Sequence, residues 1–237
     1  YLRSKAQEMI NLMEKTESAF HTDEELISGD IYMGCGETPA MEFITGIFKG
    51  IQNDYPHVHF HIFSGDAEAV MERLDKGLLD FGVLIQPADL SKYDYVNLPE
   101  KDVWGVVTRK DSPLAARQAI TRQDLLGEPL ILSRQAIRRT STKNEFIEWF
   151  KDDFEKLDVV ATLNLVYNAA LLAESGVGHV VTLDGLVNTS EHSHLCFRFL
   201  EPRLESGLNI VWKKYQVFSP AAEVFLQKIQ AAFGETV

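Results

Sequence analysis

Positions Leu2, Ala6, Met9, Met13, Thr16 and Phe20 recur at spacings of 4, 3, 4, 3 and 4, the a/d seam of a heptad repeat. Glu8, Glu14, Lys15 and Glu17 lie between them, and all are good helix formers with side chains that favour solvent. The stretch holds no Gly or Pro, and the pattern is already running at residue 1 with no capping residue before it. Such a start reads as a helix that is truncated or joined to a further domain. A helix packed on its own domain shows a wider apolar stripe than this one. Residues 1–22 are therefore expected to pair with a partner chain, with packing on the same chain as the alternative.

After Ser28 and Gly29 the period changes. Residues 30–33 read as a strand, followed by Gly34, Cys35, Gly36 and Glu37. Thr38 and Pro39 then read as the N-cap and first residue of a helix whose apolar positions Met41, Ile44, Ile47, Phe48 and Ile51 share a face. Val58, Phe60 and Ile62 alternate with His57, His59 and His61, the period of a strand. Ser64, Gly65 and Asp66 open a second helix, with Val70, Met71 and Leu74 on one side and Gly77 closing it. The short apolar run 81–85 reads as a buried parallel strand. This βαβαβ series predicts a doubly wound α/β lobe.

A second series follows. Strands are expected at 103–107, 129–132, 159–163, 179–183, 196–199 and 208–212, with a turn at 111–114. Thr121 caps a short helix ending near Gly127, residues 144–156 have helical spacing through Phe146, Trp149 and Phe150, and residues 168–174 form another helix. The chain closes on a helix with Ser219 as N-cap, Pro220 as first residue and a stripe of Ala222, Phe225, Leu226, Ile229, Ala232 and Phe233.

Composition narrows the function. A length of 237 residues with 45% hydrophobic positions suits one large domain or two lobes of roughly 100 residues. No apolar run approaches the ~18 residues of a membrane span, and the first residues lack an export signal, so a cytoplasmic protein with no membrane partner is expected. Lys plus Arg total 23 against 35 for Asp plus Glu, a net charge of −12, which repels phosphate backbones and argues against DNA binding by this segment itself. Cys35 and Cys196 follow no metal spacing and read as reduced cysteines, with a redox switch as the alternative. His57, His59 and His61 share a strand face but lack further ligands at matched spacing, so they read as an exposed face or subunit contact and no metal is expected. No serine-hydrolase elbow, phosphate loop or zinc-protease motif is present, and Gly34 and Gly36 lack the third glycine of a dinucleotide fingerprint. No enzyme activity and no cofactor are expected.

Several short motifs carry a family likeness. Gly29-Asp30-Ile31-Tyr32-Met33-Gly34 follows an amphipathic helix; Tyr55-Pro56 sits between Phe48 and Phe60; Leu74-Asp75-Lys76-Gly77-Leu78-Leu79-Asp80 precedes the third strand. Asp111-Ser112-Pro113-Leu114-Ala115 and the run from Tyr167 and Asn168 to Gly176-Val177-Gly178 complete the set. In this order they resemble the effector-binding domain of LysR-type transcriptional regulators, with Ser112 where that family usually has His. The resemblance spans essentially the whole chain and lacks the family's winged helix-turn-helix. It implies an α/β fold of two Rossmann-like lobes joined by two crossover strands, of the type 2 periplasmic-binding-protein kind, preceded by a linker helix. The segments would be a linker at 1–28, lobe I at 29–106 plus 213–237, and lobe II at 107–212. It also implies a small-molecule effector between the lobes, a homo-dimer or tetramer with residues 41–51 and 58–63 near an antiparallel interface, and DNA contact only through an N-terminal domain absent from this chain. A solute-binding protein of a transporter shares the fold and is the alternative; a small lobed enzyme is third.

The candidate ligand residues follow from strand-to-helix corners. Cys35, Gly36, Glu37 and Thr38 combine free N–H groups with a hydroxyl and favour an anion, although Thr38 could be a cap alone. Ser64, Gly65 and Asp66 form the matching corner one unit later. Ser133, Arg134 and Gln135, with Arg138 and Arg139 near them, and Tyr167 and Asn168 would face these from the second lobe. The mixture of signs suggests a small polar metabolite carrying a carboxylate.

Overall fold

The computed structural model describes residues 27–138 and 144–234, together with Ala6, Met9, Ile10 and Met13. Those four are helical and exposed. Leu2, Thr16 and Phe20 of the heptad seam, and Arg139, lie outside the described residues.

Strand β1 (Gly29–Cys35) leads into helix α1 (Met41–Asp54), strand β2 (Val58–Ser64), helix α2 (Ala67–Asp75) and strand β3 (Phe81–Ile85). Both helical crossovers return the chain parallel, so β2 and β3 flank β1. Strand β4 (Tyr93–Asn97), which the apolar pattern does not signal, then forms the sheet's far edge. The chain next runs through β5 (Asp102–Arg109), β6 (Pro129–Ser133), α3 (Glu145–Phe150), β7 (Asp158–Leu163), α4 (Val166–Glu174), β8 (His179–Leu183), β9 (Leu195–Phe199) and the two-residue β10 (Glu205–Ser206). Strand β11 (Leu208–Lys213) re-enters the first sheet antiparallel between β3 and β4, and α5 (Pro220–Phe233) closes that lobe. The first sheet has the order β2-β1-β3-β11-β4; the second has β10-β5-β8-β6-β7, with β9 paired to β5.

Each sheet is covered on both faces, and side chains alternate between the covers with the two-residue period of a strand. In the first lobe Phe81 and Val83 face α1 and α5 in one core with Ile44, Ile51, Phe225 and Ile229, whereas Leu84 faces α2 with Val70 and Leu74. In the second, Leu130 and Leu132 join Trp104, Phe146 and Phe150, whereas Ile131 meets Val166, Ala169 and Ala173 of α4. Gly105 sits where β5 is pressed against β9: a Cβ there would lie 2.2 Å from the Phe197 ring and 2.5 Å from the Arg198 carbonyl, so only glycine fits.

Hydrogen bonding moves the expected lobe boundaries. Residues 102–109 pair wholly within the second sheet, and 208–213 wholly within the first. The run 103–107 is buried on both faces, so its apolar pattern carries no information on which sheet it joins. The chain crosses outward near 98–102 and returns near 204–208. The crossings lie side by side, with the Leu98 N–H on the Leu208 carbonyl at 3.0 Å and the Trp104 N–H on the Leu204 carbonyl at 2.9 Å. We therefore draw lobe I over 29–98 with 208–234, and lobe II over 102–206. Three element limits also shift. Helix α1 starts at Met41, after turns at 38–40. The expected helix 144–156 breaks at Lys151, where φ is 53° and a 3-10 segment takes over. Helix α4 starts at Val166 rather than at Asn168.

Candidate functional site

The carboxyl ends of the parallel strands in both sheets face one another across the interlobe groove, the place where ligands bind in open α/β folds. Glu37 arrives from the β1–α1 corner, Asp66 from β2–α2, Gln135 from the turn after β6, and Asn164 and Val166 from β7–α4. Ile85, Trp104, Leu163, Leu183 and Leu186 supply apolar wall. Gly36 packs close to the Ile85 side chain, whose Cδ1 would have to move for a Cβ at that position, 2.9 Å away.

Side chains from each lobe cap a helix of the other. Helix α4 has no side-chain cap of its own, and its first N–H, at Val166, donates to the Glu37 carboxylate from lobe I. In return, Gln135 of lobe II accepts from the Ala67 N–H at the start of α2 (3.0 Å) and donates to the Ile85 carbonyl (2.8 Å). Asp66 is the true N-cap of α2, accepting from the Ala69 N–H at 3.1 Å, and its second oxygen accepts from Arg134 at 2.6 Å. Arg138 pairs with Glu68 outside this. These bridges divide the groove into an inner cleft of about 60 Å³ and, beyond Gln135, a compartment of about 240 Å³ lined by Arg134 and Arg138. A metabolite-sized site takes several hundred Å³, so a ligand seated in the inner cleft itself would have to displace Glu37, Gln135 or both.

The expected site residues separate accordingly. Gly36, Glu37, Asp66, Ser133 and Gln135 line the inner cleft. Cys35, Thr38 and Ser64 lie in an outer depression on the far side of the Glu37–Val166 bridge. Gly65 is a buried packing residue whose N–H donates to the Cys35 carbonyl at 2.9 Å. Arg134 reaches across the groove but spends its charge on Asp66. Tyr167, 71% exposed, and Asn168, also exposed, point outward: the phase of α4 turns Val166, Ala169 and Ala173 inward instead. Sequence reading misses Thr182 and Trp104. Thr182 is 6% exposed and lines the cleft, and its hydroxyl has no partner among the described residues. Its place near the carboxyl end of β8 is the signal that could have found it.

Thr38 is occupied behind the cleft. Its hydroxyl accepts from the Ala40 N–H and donates to Asp102 Oδ1, both at 3.0 Å. The other Asp102 oxygen is buried with no hydrogen-bond partner, and burial pushes this carboxyl up to about 6, opposed only by the Thr38 bond. Burial likewise raises the Cys35 thiol, which lowers its reactivity; Cys35 and Cys196 are free and stand in different sheets. His59 and His61 both face Asp30, and His61 stacks on Tyr32 at 4.7 Å. Among the described residues no group of three or more His, Cys, Asp or Glu is placed to hold a metal ion.

The turn that carries Gln135 is held by Asn144. This buried N-cap of α3 accepts from the Phe146 and Ile147 N–H groups and donates to the Ala136 and Arg138 carbonyls. Asn144→Ala should destabilise the chain by about 2–3 kcal/mol, the sum of a lost cap and two orphaned carbonyls. Urea unfolding reads this directly, and a loss below about 0.5 kcal/mol would show that the turn holds itself.

Comparison with known proteins identifies the architecture. Residues 24–234 match the family model described as the LysR substrate binding domain. The chain is 24% identical over 229 residues to the HTH-type transcriptional regulator YvbU of Bacillus subtilis, covering 96% of this chain and 76% of that protein. It is 26% identical over 227 residues to YbhD of Escherichia coli, covering 94% and 70%. Among solved structures, CbnR, a LysR family transcriptional regulator, superposes with a TM-score of 0.73 at 13% identity over 98% of this chain and 79% of that one. The effector-binding domain of QuiR in complex with shikimate gives 0.68 at 15% identity, over 85% and 95%. These structures share the two-lobed, type 2 periplasmic-binding-protein-like fold. No described helix is long and apolar enough to cross a membrane. With the family model covering nearly the whole chain and two sheets meeting in the expected groove, the chain belongs to the LysR substrate-binding-domain family and is the effector-binding domain of a LysR-type transcriptional regulator.

Proposed function

We propose that this domain binds a small carboxylate-bearing metabolite in the inner cleft, and that occupancy controls DNA binding by the regulator to which it belongs. The observation that carries this is the Glu37 carboxylate on the bare N-terminus of α4. A helix start with an unsatisfied N–H and its positive dipole end favours an anion, and a ligand carboxylate is the chemical equivalent of the group already there. Shikimate, held by QuiR, is itself a hydroxylated carboxylic acid, so it is the first probe to try. Ligand that displaces Glu37 and Gln135 changes how the lobes are tied together, and it shifts the regulator only by its difference in affinity for the two arrangements.

Thermal shift and calorimetry of this chain against small carboxylates, each beside its primary amide, test the reading. At least one acid should raise the melting temperature, by several degrees at about 100 times its Kd, while its amide should not. Amides binding as tightly as acids would sink it.

Two further features support a regulator rather than a catalyst. The Thr108 hydroxyl, His179 and Glu128 form a hydroxyl–imidazole–carboxylate chain at 2.8 and 3.3 Å, but Thr108 is fully buried and no substrate can reach it. Large apolar side chains are exposed on both lobes: Phe43 and Ile62 on α1 and β2, and Tyr167, Leu171, Leu172 and Val177 on and after α4. A two-fold antiparallel pairing would cover one set with the other, so we read the protein as a cytoplasmic homo-dimer or tetramer. DNA is contacted through a winged helix-turn-helix outside this chain.

A further inference from the structure

We infer that the effector is a zwitterion of amino-acid type, whose carboxylate takes the start of α4 and whose ammonium is received by Glu37. The inference rests on the reading that a ligand carboxylate replaces Glu37 there. Once displaced from the Val166 N–H, the Glu37 carboxylate stays tethered beside the position it left. A plain anionic ligand would then place two carboxylates within a few ångströms of each other, and like charges at that range repel strongly in a partly desolvated cleft. The neighbouring cations are committed: Arg134 to Asp66 at 2.6 Å and Arg138 to Glu68 at 2.5 Å. Among the described residues no Lys, Arg or His lines the inner cleft.

An ammonium on the ligand converts the repulsion into a charge-assisted hydrogen bond. It also leaves Asp66 undisturbed, because Arg134 already neutralises that carboxylate. Thr182 gives the site a second, independent polar anchor: it is almost fully buried, lines the cleft and has no partner among the described residues. Leu163, Leu183 and Leu186 form the wall beside it, so the remainder of the ligand is small and uncharged.

Calorimetric titration of this chain with L-serine, L-valine and L-leucine, each beside its N-acetyl derivative and its primary amide, tests this. At least one amino acid should bind, and its N-acetyl form should bind about ten- to a hundredfold more weakly, the worth of one hydrogen bond to a charged group. Glu37→Gln should bring the two affinities together, whereas Thr182→Val should weaken both alike. An N-acetyl acid binding as tightly as its amino acid, discrimination that survives in Glu37→Gln, or no amino acid binding while plain carboxylates such as shikimate do, would each overturn the zwitterion and leave the carboxylate reading standing. Amides that match the acids, or no binding by any acid of either kind, would overturn both.

Discussion

Replacing Phe225 with Ala should destabilise the protein by about 3–5 kcal/mol, the cost of emptying a fully packed aromatic site. Phe225 is fully buried, with its ring 4.8 Å from that of Phe81 and 5.6 Å from that of Phe48. It therefore joins α5 to the central strand and to α1. Lobe I is assembled from two pieces of chain far apart in sequence, and α5 is the return piece that covers one face of its sheet. A cavity here loosens that cover rather than a surface contact. In a chain of this size the loss corresponds to roughly 6–20 °C in melting temperature. Phe225→Leu, which keeps most of the volume, should cost less than half as much. Urea unfolding of both variants is the measurement. A loss below about 1.5 kcal/mol for the alanine variant would show that α5 is not essential to the lobe.

The same helix shows what a sequence makes legible. Ser219 accepts from the Ala222 N–H, Pro220 occupies the first turn, and the inward residues Ala222, Phe225 and Ile229 stand where the stripe places them. Local rules sufficed because cap, proline and period all act within one segment. The corners that bring Gly36, Glu37, Asp66, Ser133 and Gln135 into the cleft were legible for a related reason: parallel strands deliver their carboxyl ends to one side of a sheet. What those residues do there was not legible. That Glu37 caps α4 and Gln135 caps α2 depends on how the lobes meet, which no local pattern encodes.

Two features of the site are hidden from local patterns for geometric reasons. The residue pattern starts α4 at Asn168, which leaves Tyr167 free to face ligand; each residue turns a helix by about 100°, and the observed phase, with the helix starting at Val166, turns Tyr167 to solvent. Thr182 gives no periodic signal because Val180, Val181 and Leu183 around it make a buried run without alternation, and such a run assigns no face to a polar member. The family likeness set the transporter alternative aside only through the match over residues 24–234, since the two classes share this fold.

Asp102 should make the stability of this protein fall as pH rises from about 4 to above 6. Its carboxyl stands at about 6 in the fold against an ordinary 3.8, because burial disfavours the charge and only Thr38 offers a hydrogen bond. The folded state thus keeps this proton to higher pH than the unfolded chain does. The contribution is fully present below 3.8 and is lost as pH passes through 6. A shift of this size corresponds to about 3 kcal/mol in all, roughly half of it lost between pH 5 and 8. Asp102→Asn removes the titration, and its amide brings two N–H donors to a place where the protonated acid has a single O–H and no acceptor stands, so the variant should be the less stable one at pH 4.5. Raising the pH should then close that gap or reverse it, by about 2 kcal/mol between pH 4.5 and 8. Melting curves of both proteins across that range test the difference directly, since all other titrating groups are common to the pair. A gap that stays constant would mean that the Asp102 carboxyl is hydrated in solution. The first crossing strand would then be open to water beside Thr38, and the lobes would part at the crossing more readily than the Thr38–Asp102 bond allows.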